Sequence, residues 1–212
     1  MKNGRIPRPA IRRLSTYIQE LESMAREGTE LVSSESLAKA CDVNASQVRK
    51  DLAYFGEFGV RGLGYNLTNL LTSISLALGI HREWRVALVG VGNLGRALLN
   101  HPEFRQRNFH VVAAFDSDPL KIGKIVQGVK IICTKRIGEK VRKLKIEIGI
   151  ITTPQEHAQR AAQRLTDAGV RALLNYAPAR LHTPKGVYVE YVDFFHYLYA
   201  LSFNLSSGER HL

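Results

Sequence analysis

Residues 86–96 read VALVGVGNLGR, an apolar run that breaks into Gly90, Gly92 and Gly95 with the spacing G-x-G-x-x-G. No other stretch constrains the fold as much, because an apolar strand that runs through such glycines into a helical pattern opens a βαβ unit. The context is present: a strand before Gly90, a helix after Gly95, and Asp116 at the end of the next apolar run. Gly90 permits the tight turn, Gly92 lets the backbone approach a pyrophosphate, and Gly95 lets the helix pack on the sheet. The helix N-terminus offers free N–H groups and partial positive charge to a phosphate. Asp116 is placed to accept a hydrogen bond from a ribose 2′-hydroxyl and to repel a 2′-phosphate, which favours NAD(H) over NADP(H). Strand, helix and acid together point to a dinucleotide. A glycine turn of this kind also serves other nucleotides, a CoA derivative among them.

The second half of the chain repeats the βαβ grammar. Apolar runs at 85–89, 110–115, 129–133, 147–152 and 170–174 alternate with helical patterns such as 94–100 and 155–168. That order predicts a parallel sheet covered on both faces, an α/β Rossmann architecture. A dehydrogenase would also need a proton-exchanging side chain and a substrate pocket. His157, beside Glu156 after Thr152-Thr153-Pro154, reads as a surface histidine in a first helical turn. Residues 175–212 hold one short strand near 187–192 and a final helix, too little for a substrate domain. A nucleotide-binding protein that is not an enzyme is expected; a nicotinamide-dependent enzyme with a nucleic-acid domain is the rival.

The first half follows a different pattern. From Pro9, apolar residues at Ile11, Leu14, Ile18, Leu21 and Ala25 form one helical face, closed by Gly28. Ser33 or Ser34 caps a second short helix carrying Leu37, Ala38 and Ala40, which stops near Asp42-Val43. Asn44 caps a third, with Gln47 at capping-box spacing and Val48, Leu52 and Phe55 on its apolar face. Ser46, Gln47, Arg49 and Lys50 are left on the other faces. This layout is a helix-turn-helix, whose second helix enters the major groove and pairs Gln with adenine, or Arg and Lys with guanine. An ordinary three-helix unit has the same pattern, but GEFGVRGLGY follows, and four glycines in nine residues predict a hairpin. Such a hairpin is a wing, with Arg61 at its tip to reach phosphates or a minor groove. A further helix begins at Thr68 and ends at Gly79.

Charge is uneven. Of a net +11, residues 1–83 hold 11 basic against 9 acidic side chains and residues 84–212 hold 19 against 10. The total suits a polyanionic partner but does not locate its surface, and the basic run 135–145 reads as a solvated helix face. No apolar run follows the basic N-terminal residues, so neither signal peptide nor membrane span is expected, and the protein is expected in the cytoplasm. Cys41 and Cys133 lack disulfide-framework or zinc spacing and read as buried small hydrophobes. His81 to Trp84 marks the domain boundary. The final helix, capped by Asp193, is apolar on more than one face through Phe194, Phe195, Tyr197, Leu198, Leu201 and Phe203. It must dock on its own domain or insert into a partner subunit; the second is favoured, because winged helices usually read two-fold operators as dimers.

Several motifs together carry a family resemblance: QVRKDLAYFGEFGVRGLGY at 47–65, VGVGNLG at 89–95, FDSDP at 115–119, TTP at 152–154, LLNYAP at 173–178 and VDFFHYLYALSF at 192–203. Over nearly its whole length the sequence resembles the bacterial redox-sensing transcriptional repressors called Rex. The resemblance implies a non-enzymatic homodimer with three parts: a winged helix-turn-helix domain at 1–83, an NAD(H)-binding Rossmann domain at 84–192, and a C-terminal helix at 193–212 swapped into the partner. It implies grip on palindromic double-stranded operator DNA when NADH is low, and release when NADH binds, in response to the NADH/NAD+ ratio. By position, Ser46, Gln47, Arg49 and Lys50 face the major groove, with Arg61 and Tyr65 in the wing. Gly90, Val91, Gly92, Asn93, Leu94, Gly95 and Asp116 hold the adenosine and pyrophosphate. Thr152, Thr153, Pro154, Asn175 and Pro178 lie near the nicotinamide, covered by Phe194 of the partner subunit. The chain departs from the pattern at His101, where relatives carry tyrosine, and near Gln19, where they carry arginine, both in a network with Asp193.

Overall fold

Prolines open the first element. In the computed structural model, which describes residues 6–54, 59–60 and 64–208, Pro7 precedes helix α1 (Arg8–Arg26). Pro9 lies in its first turn and Gly28, beyond its end, takes a left-handed φ of 83°. Ala10, Leu14, Tyr17, Ile18 and Leu21 face inward. Two residues expected on that stripe lie off it: Ile11 is 43% exposed, and Ala25 is exposed. Tyr17 replaces them, its ring filling the core while its hydroxyl finds a buried acceptor.

Strand β1 (Leu31–Val32) leads to helix α2 (Ser34–Ala40) and helix α3 (Ala45–Leu52). Ser33 and Ser36 complete a reciprocal capping box on α2, whereas Ala40 is exposed rather than packed. Asn44 caps α3, its Oδ1 accepting from the Gln47 N–H at 2.7 Å. The reciprocal half of the expected box is missing, because the Gln47 side chain turns to a buried carboxylate, the stronger acceptor. Strands β2 (Gly59–Val60) and β3 (Gly64–Asn66) pair antiparallel, and β1 pairs with the other edge of β3, giving the wing its sheet. Gly64 has φ 90°, and a Cβ there would stand 2.6 Å from the Val32 carbonyl oxygen, so the β1–β3 crossing requires glycine. Helix α4 (Leu67–Leu78) closes on Gly79 in the left-handed conformation. Leu14, Tyr17, Leu21, Leu37, Val48, Leu52, Leu70 and Ile74 make one core. Phe55 and Arg61 lie outside the described residues.

The chain divides into two units, Met1–Arg82 and Glu83–Leu212. The second begins with β4 (Trp84–Val89), α5 (Asn93–Asn100), α6 (Glu103–Gln106), β5 (Phe109–Asp116), β6 (Ile125–Val126) and β7 (Val129–Cys133). A 3₁₀ turn at Thr134–Arg136 leads to α7 (Ile137–Lys143), then β8 (Ile148–Ile151), α8 (Gln155–Asp167), β9 (Ala172–Asn175), β10 (Tyr188–Tyr191) and α9 (Phe195–Gly208). The sheet order is β10-β9-β8-β4-β5-β7-β6, parallel except for the short β6–β7 pair. The chain builds outward from β4 through β5 to β7, then returns to β4's other edge with β8. That reversal opens a crevice at the carboxyl ends of β4 and β8. Alternate residues of β4 serve opposite faces: Ala87 and Val89 pack with α7 and α8, Val86 and Leu88 with Leu98 and Leu99 of α5. Each buried aliphatic side chain contributes about 1.5–3 kcal/mol, so both layers are needed to hold the sheet.

One expectation changes here. Cys41 and Cys133 are half-buried thiols rather than core residues. Helix α9 is not docked on its own domain: Tyr197, Tyr199, Phe203 and Leu205 are 69–73% exposed. No helix among the described residues is long and apolar enough to cross a membrane.

Candidate functional site

The three glycines do three different jobs. Gly90 has φ +100°, and a Cβ there would stand 2.8 Å from the backbone of Thr152 and Thr153. A Cβ on Gly95 would collide with the Gly90 carbonyl oxygen. At Gly92, by contrast, a Cβ would meet nothing within 4 Å. Neither φ nor packing asks for glycine there, so the open space belongs to whatever approaches from outside. Gly92 is also the N-cap of α5 and provides no side-chain cap, which leaves the first turn's donors for an anion.

Asp116 closes the turn from the other side. Its Oδ2 accepts from the Val91 N–H at 2.8 Å and from Lys121 Nζ at 3.1 Å, and its Oδ1 accepts from the Asp118 N–H at 2.9 Å. Burial pushes its pKa up, but these donors outweigh it and hold the carboxyl below the usual range. A carboxylate has about four lone-pair sites; three are filled, and one on Oδ1 stays available for a hydroxyl. Lys121, which the sequence reading passed over, offsets part of the charge expected to repel a 2′-phosphate.

A cavity of about 330 Å³ lies over this turn, lined by Gly90, Gly92, Asp116, Lys121 and Thr152 to Pro154, with His157, Arg160 and Arg164 of α8. The Thr152 hydroxyl donates to the Gly90 carbonyl at 2.6 Å, locking the end of β8 to the turn, so its proton is committed inside the protein. The Thr153 hydroxyl is buried with no partner among the described groups. An open glycine, an uncapped helix start, a spare carboxylate lone pair and an orphan hydroxyl together fit a dinucleotide. Val91 is wholly buried and acts through its backbone, whereas Asn93 and Leu94 are exposed on the first turn of α5. His157 does line the cleft, but no carboxylate among the described residues orients it as a base would need.

Asn175, Pro178 and Phe194 are gathered elsewhere, around a second cavity of about 510 Å³ with Tyr191 and Asp193. The Asn175 amide is spent on its own loop, donating to the Ala177 and Ala179 carbonyls at 3.0 and 2.9 Å and accepting from the Ala177 N–H. It shapes that loop rather than offering a free amide. The loop follows β9, and the Tyr176 N–H donates to the Ile151 carbonyl of β8, so both cavities open along one edge of the sheet. Phe194 stacks on Phe195 at 4.5 Å. His101 packs edge-on to Phe104, and Gln19 is exposed.

In the first unit, Ser46 and Lys50 are exposed on α3. Arg49 is exposed but reaches back to α2, donating to Ser34 Oγ at 2.8 Å and Glu35 Oε1 at 2.9 Å. Tyr65, half-buried on β3, has its hydroxyl pKa raised by burial, with Arg49 opposing. Sequence reasoning missed Asp51. It is 1% exposed and accepts from Arg13 Nε and Nη2 at 2.6 and 2.8 Å, the Tyr17 hydroxyl at 2.9 Å and Gln47 Nε2 at 2.8 Å. The signal was available: a carboxylate between Val48 and Leu52 on a buried stripe demands partners.

A family model described as "CoA binding domain" matches residues 81–179, and one described as "Putative DNA-binding protein N-terminus" matches residues 5–53. The redox-sensing transcriptional repressor Rex of Maridesulfovibrio salexigens is 56% identical over 209 residues, covering 99% of this chain and 100% of the relative. That of Solidesulfovibrio magneticus is 54% identical over 206 residues, covering 97% and 94%. A crystal structure of RSP in complex with beta-NAD+ and operator DNA superposes with a TM-score of 0.92 at 32% identity, covering 99% of this chain and 96% of that one. A structure of RSP with beta-NADH gives 0.90 at 31% identity, covering 99% and 98%. With a glycine-turn cleft and a winged helix-turn-helix in one chain, and identity of this depth across its length, the chain belongs to the Rex family.

Proposed function

We propose that this chain is a redox-sensing transcriptional repressor that holds double-stranded operator DNA when NADH is scarce and lets go when NADH enters the glycine-turn cleft. The observation that carries this reading is Gly92, whose open side has no internal purpose, in a chain that also presents Ser46 and Lys50 of α3 to solvent. Relatives named as redox-sensing repressors, and related structures with NAD+ and operator DNA or with NADH, support it. Repression of transcription supports a cytoplasmic location. It is a regulator and not an enzyme, and NAD+ and NADH are its ligands.

A ligand moves an equilibrium between two states only as far as its affinities for them differ. When bound, the nicotinamide contributes a redox state that changes by one hydride and one unit of charge. The residues of the chain must detect that charge. Arg160 and Arg164 line the cleft without an acidic partner within 4 Å among the described residues, and Lys121 stands beside Asp116. Their field favours the more negative of two otherwise equal ligands, and so disfavours a cationic ring. Gly90, Val91, Gly92, Asn93, Leu94, Gly95 and Asp116 hold the phosphate and adenosine side, and the Asn175–Pro178 loop lies beyond them along the same edge of the sheet.

Helix α9 supplies the second half of the mechanism. Burying one exposed Phe or Leu is worth about 1.5–3 kcal/mol, so several such side chains on one terminal helix are best covered by a second copy. That copy makes the homodimer a two-fold operator requires, brings its Phe194 to the neighbouring site, and lets NADH change the spacing of the paired α3 helices. Reaching DNA requires Arg49 to exchange Glu35, its partner in an exposed pair that water screens.

The test is an anisotropy titration of a labelled palindromic duplex at several NADH:NAD+ ratios. Affinity is expected to fall as NADH rises and to recover with excess NAD+. Equal affinity under both nucleotides removes the mechanism.

A further inference from the structure

Beneath the recognition helix lies a polar network that nucleotide sensing does not use. Asp51 sits in the apolar core of the first unit, and its four lone-pair sites are all taken. Oδ2 receives Arg13 Nε and the Tyr17 hydroxyl; Oδ1 receives Arg13 Nη2 and Gln47 Nε2. Three of these donors come from α1 and suffice to tie α1 to α3. The fourth comes from Gln47, in the first turn of α3, where recognition helices usually meet base edges.

A side-chain amide can present itself either way round, oxygen outward or nitrogen outward. Next to an acceptor-only carboxylate only one way is possible, with the NH2 toward Asp51. That leaves the half-buried Gln47 with its Oε1 and its second N–H, neither with another partner among the described residues. An acceptor beside a donor is the complement of adenine in the major groove, whose N6–H donates and whose N7 accepts. Freezing a glutamine on binding costs rotamer entropy; here that loss falls at folding, so the amide meets the DNA already ordered.

We propose that Asp51 is a positioning residue for sequence reading: it holds the Gln47 amide in the one orientation that recognises an adenine at a single position of each operator half-site. Arg13 and Tyr17 keep Asp51 in place. The inference rests on the DNA-binding reading of α3 above and goes beyond it, because it assigns a base and a support to one side chain.

The experiment uses the full chain without NADH. Duplexes selected from a randomised pool give the preferred sequence, and anisotropy then measures affinity for duplexes substituted one position at a time. The wild type is expected to discriminate one A·T pair by about tenfold or more, the yield of a bidentate contact. Gln47→Ala and Asp51→Asn should each reduce that discrimination to within about twofold. The double variant should add nothing further, and preferences elsewhere should stand. If Asp51→Asn weakens every duplex equally with all preferences intact, Asp51 is only a tie between helices and the inference is overturned. Should that variant fail to fold, Gln47→Ala decides: unchanged preference at every position overturns the proposal. A wild-type chain that enriches no sequence removes the DNA-binding reading itself, and this inference with it.

Discussion

Among the described residues, Asp51 and Asp116 are the buried carboxylates of the two units, 1% and 7% exposed, and they differ by one lone pair. Burial raises the pKa of each, and hydrogen bonds lower it further than burial raises it. Around Asp51 the donors are Arg13, Tyr17 and Gln47, and nothing remains to accept. Around Asp116 they are two backbone N–H groups and Lys121, with one acceptor site facing the cleft. A saturated carboxylate fixes structure, and an unsaturated one waits for a ligand. The same count separates the glycines, since Gly90 and Gly95 are required by their own backbone surroundings and Gly92 is not.

The comparison is strained most by Gly90→Ala. A methyl at φ +100°, 2.8 Å from the Thr152 backbone, cannot be absorbed by a flexible side chain. A loss of at least about 3 kcal/mol is expected in a urea titration, and wild-type stability would contradict the close-packed turn. Asp51→Asn comes next, at about 3 kcal/mol, because it leaves the Arg13 guanidinium without its counter-charge. The pH dependence has a definite sign. The folded pKa of Asp51 lies below the unfolded value near 4, so between the two the unfolded chain binds more protons and stability rises with pH. The contribution is complete above about pH 5 and is lost as pH falls through the folded pKa. The variant should show a flatter acid limb, and an unchanged limb would mean that Asp51 is not the titrating group.

The features legible in the sequence were local ones. The glycine spacing, the Ser33 and Asn44 caps, the Gly79 stop and the alternation of strands and helices each depend on a few neighbouring residues, and each appears in the structure. Strands β1 and β6 have two residues each, too few for any periodicity to register. The side-chain pairings were beyond local reading. Arg13 and Tyr17 meet Asp51 across 38 and 34 residues, and Thr152 meets Gly90 across 62. Position alone assigned Thr152 and Asn175 to a ligand, whereas their side-chain donors are engaged within the protein. Lys121 and the α8 side chains Arg160 and Arg164 enter the cleft only because β5 and β8 flank β4.

Gly92→Ala should have the smallest effect on stability and the most informative effect on function. With nothing within 4 Å of the added methyl and a φ of −81°, unfolding should stay within about 0.5 kcal/mol of wild type. The decisive measurement is the operator titration of this variant beside the wild type, with NADH absent and with NADH at a concentration that releases the wild type. The account predicts equal operator affinity without NADH, and a Gly92→Ala protein that stays on the DNA when NADH is added. Release of the variant at the same NADH concentration as wild type would contradict the claim that the glycine-turn cleft is where the redox signal is received.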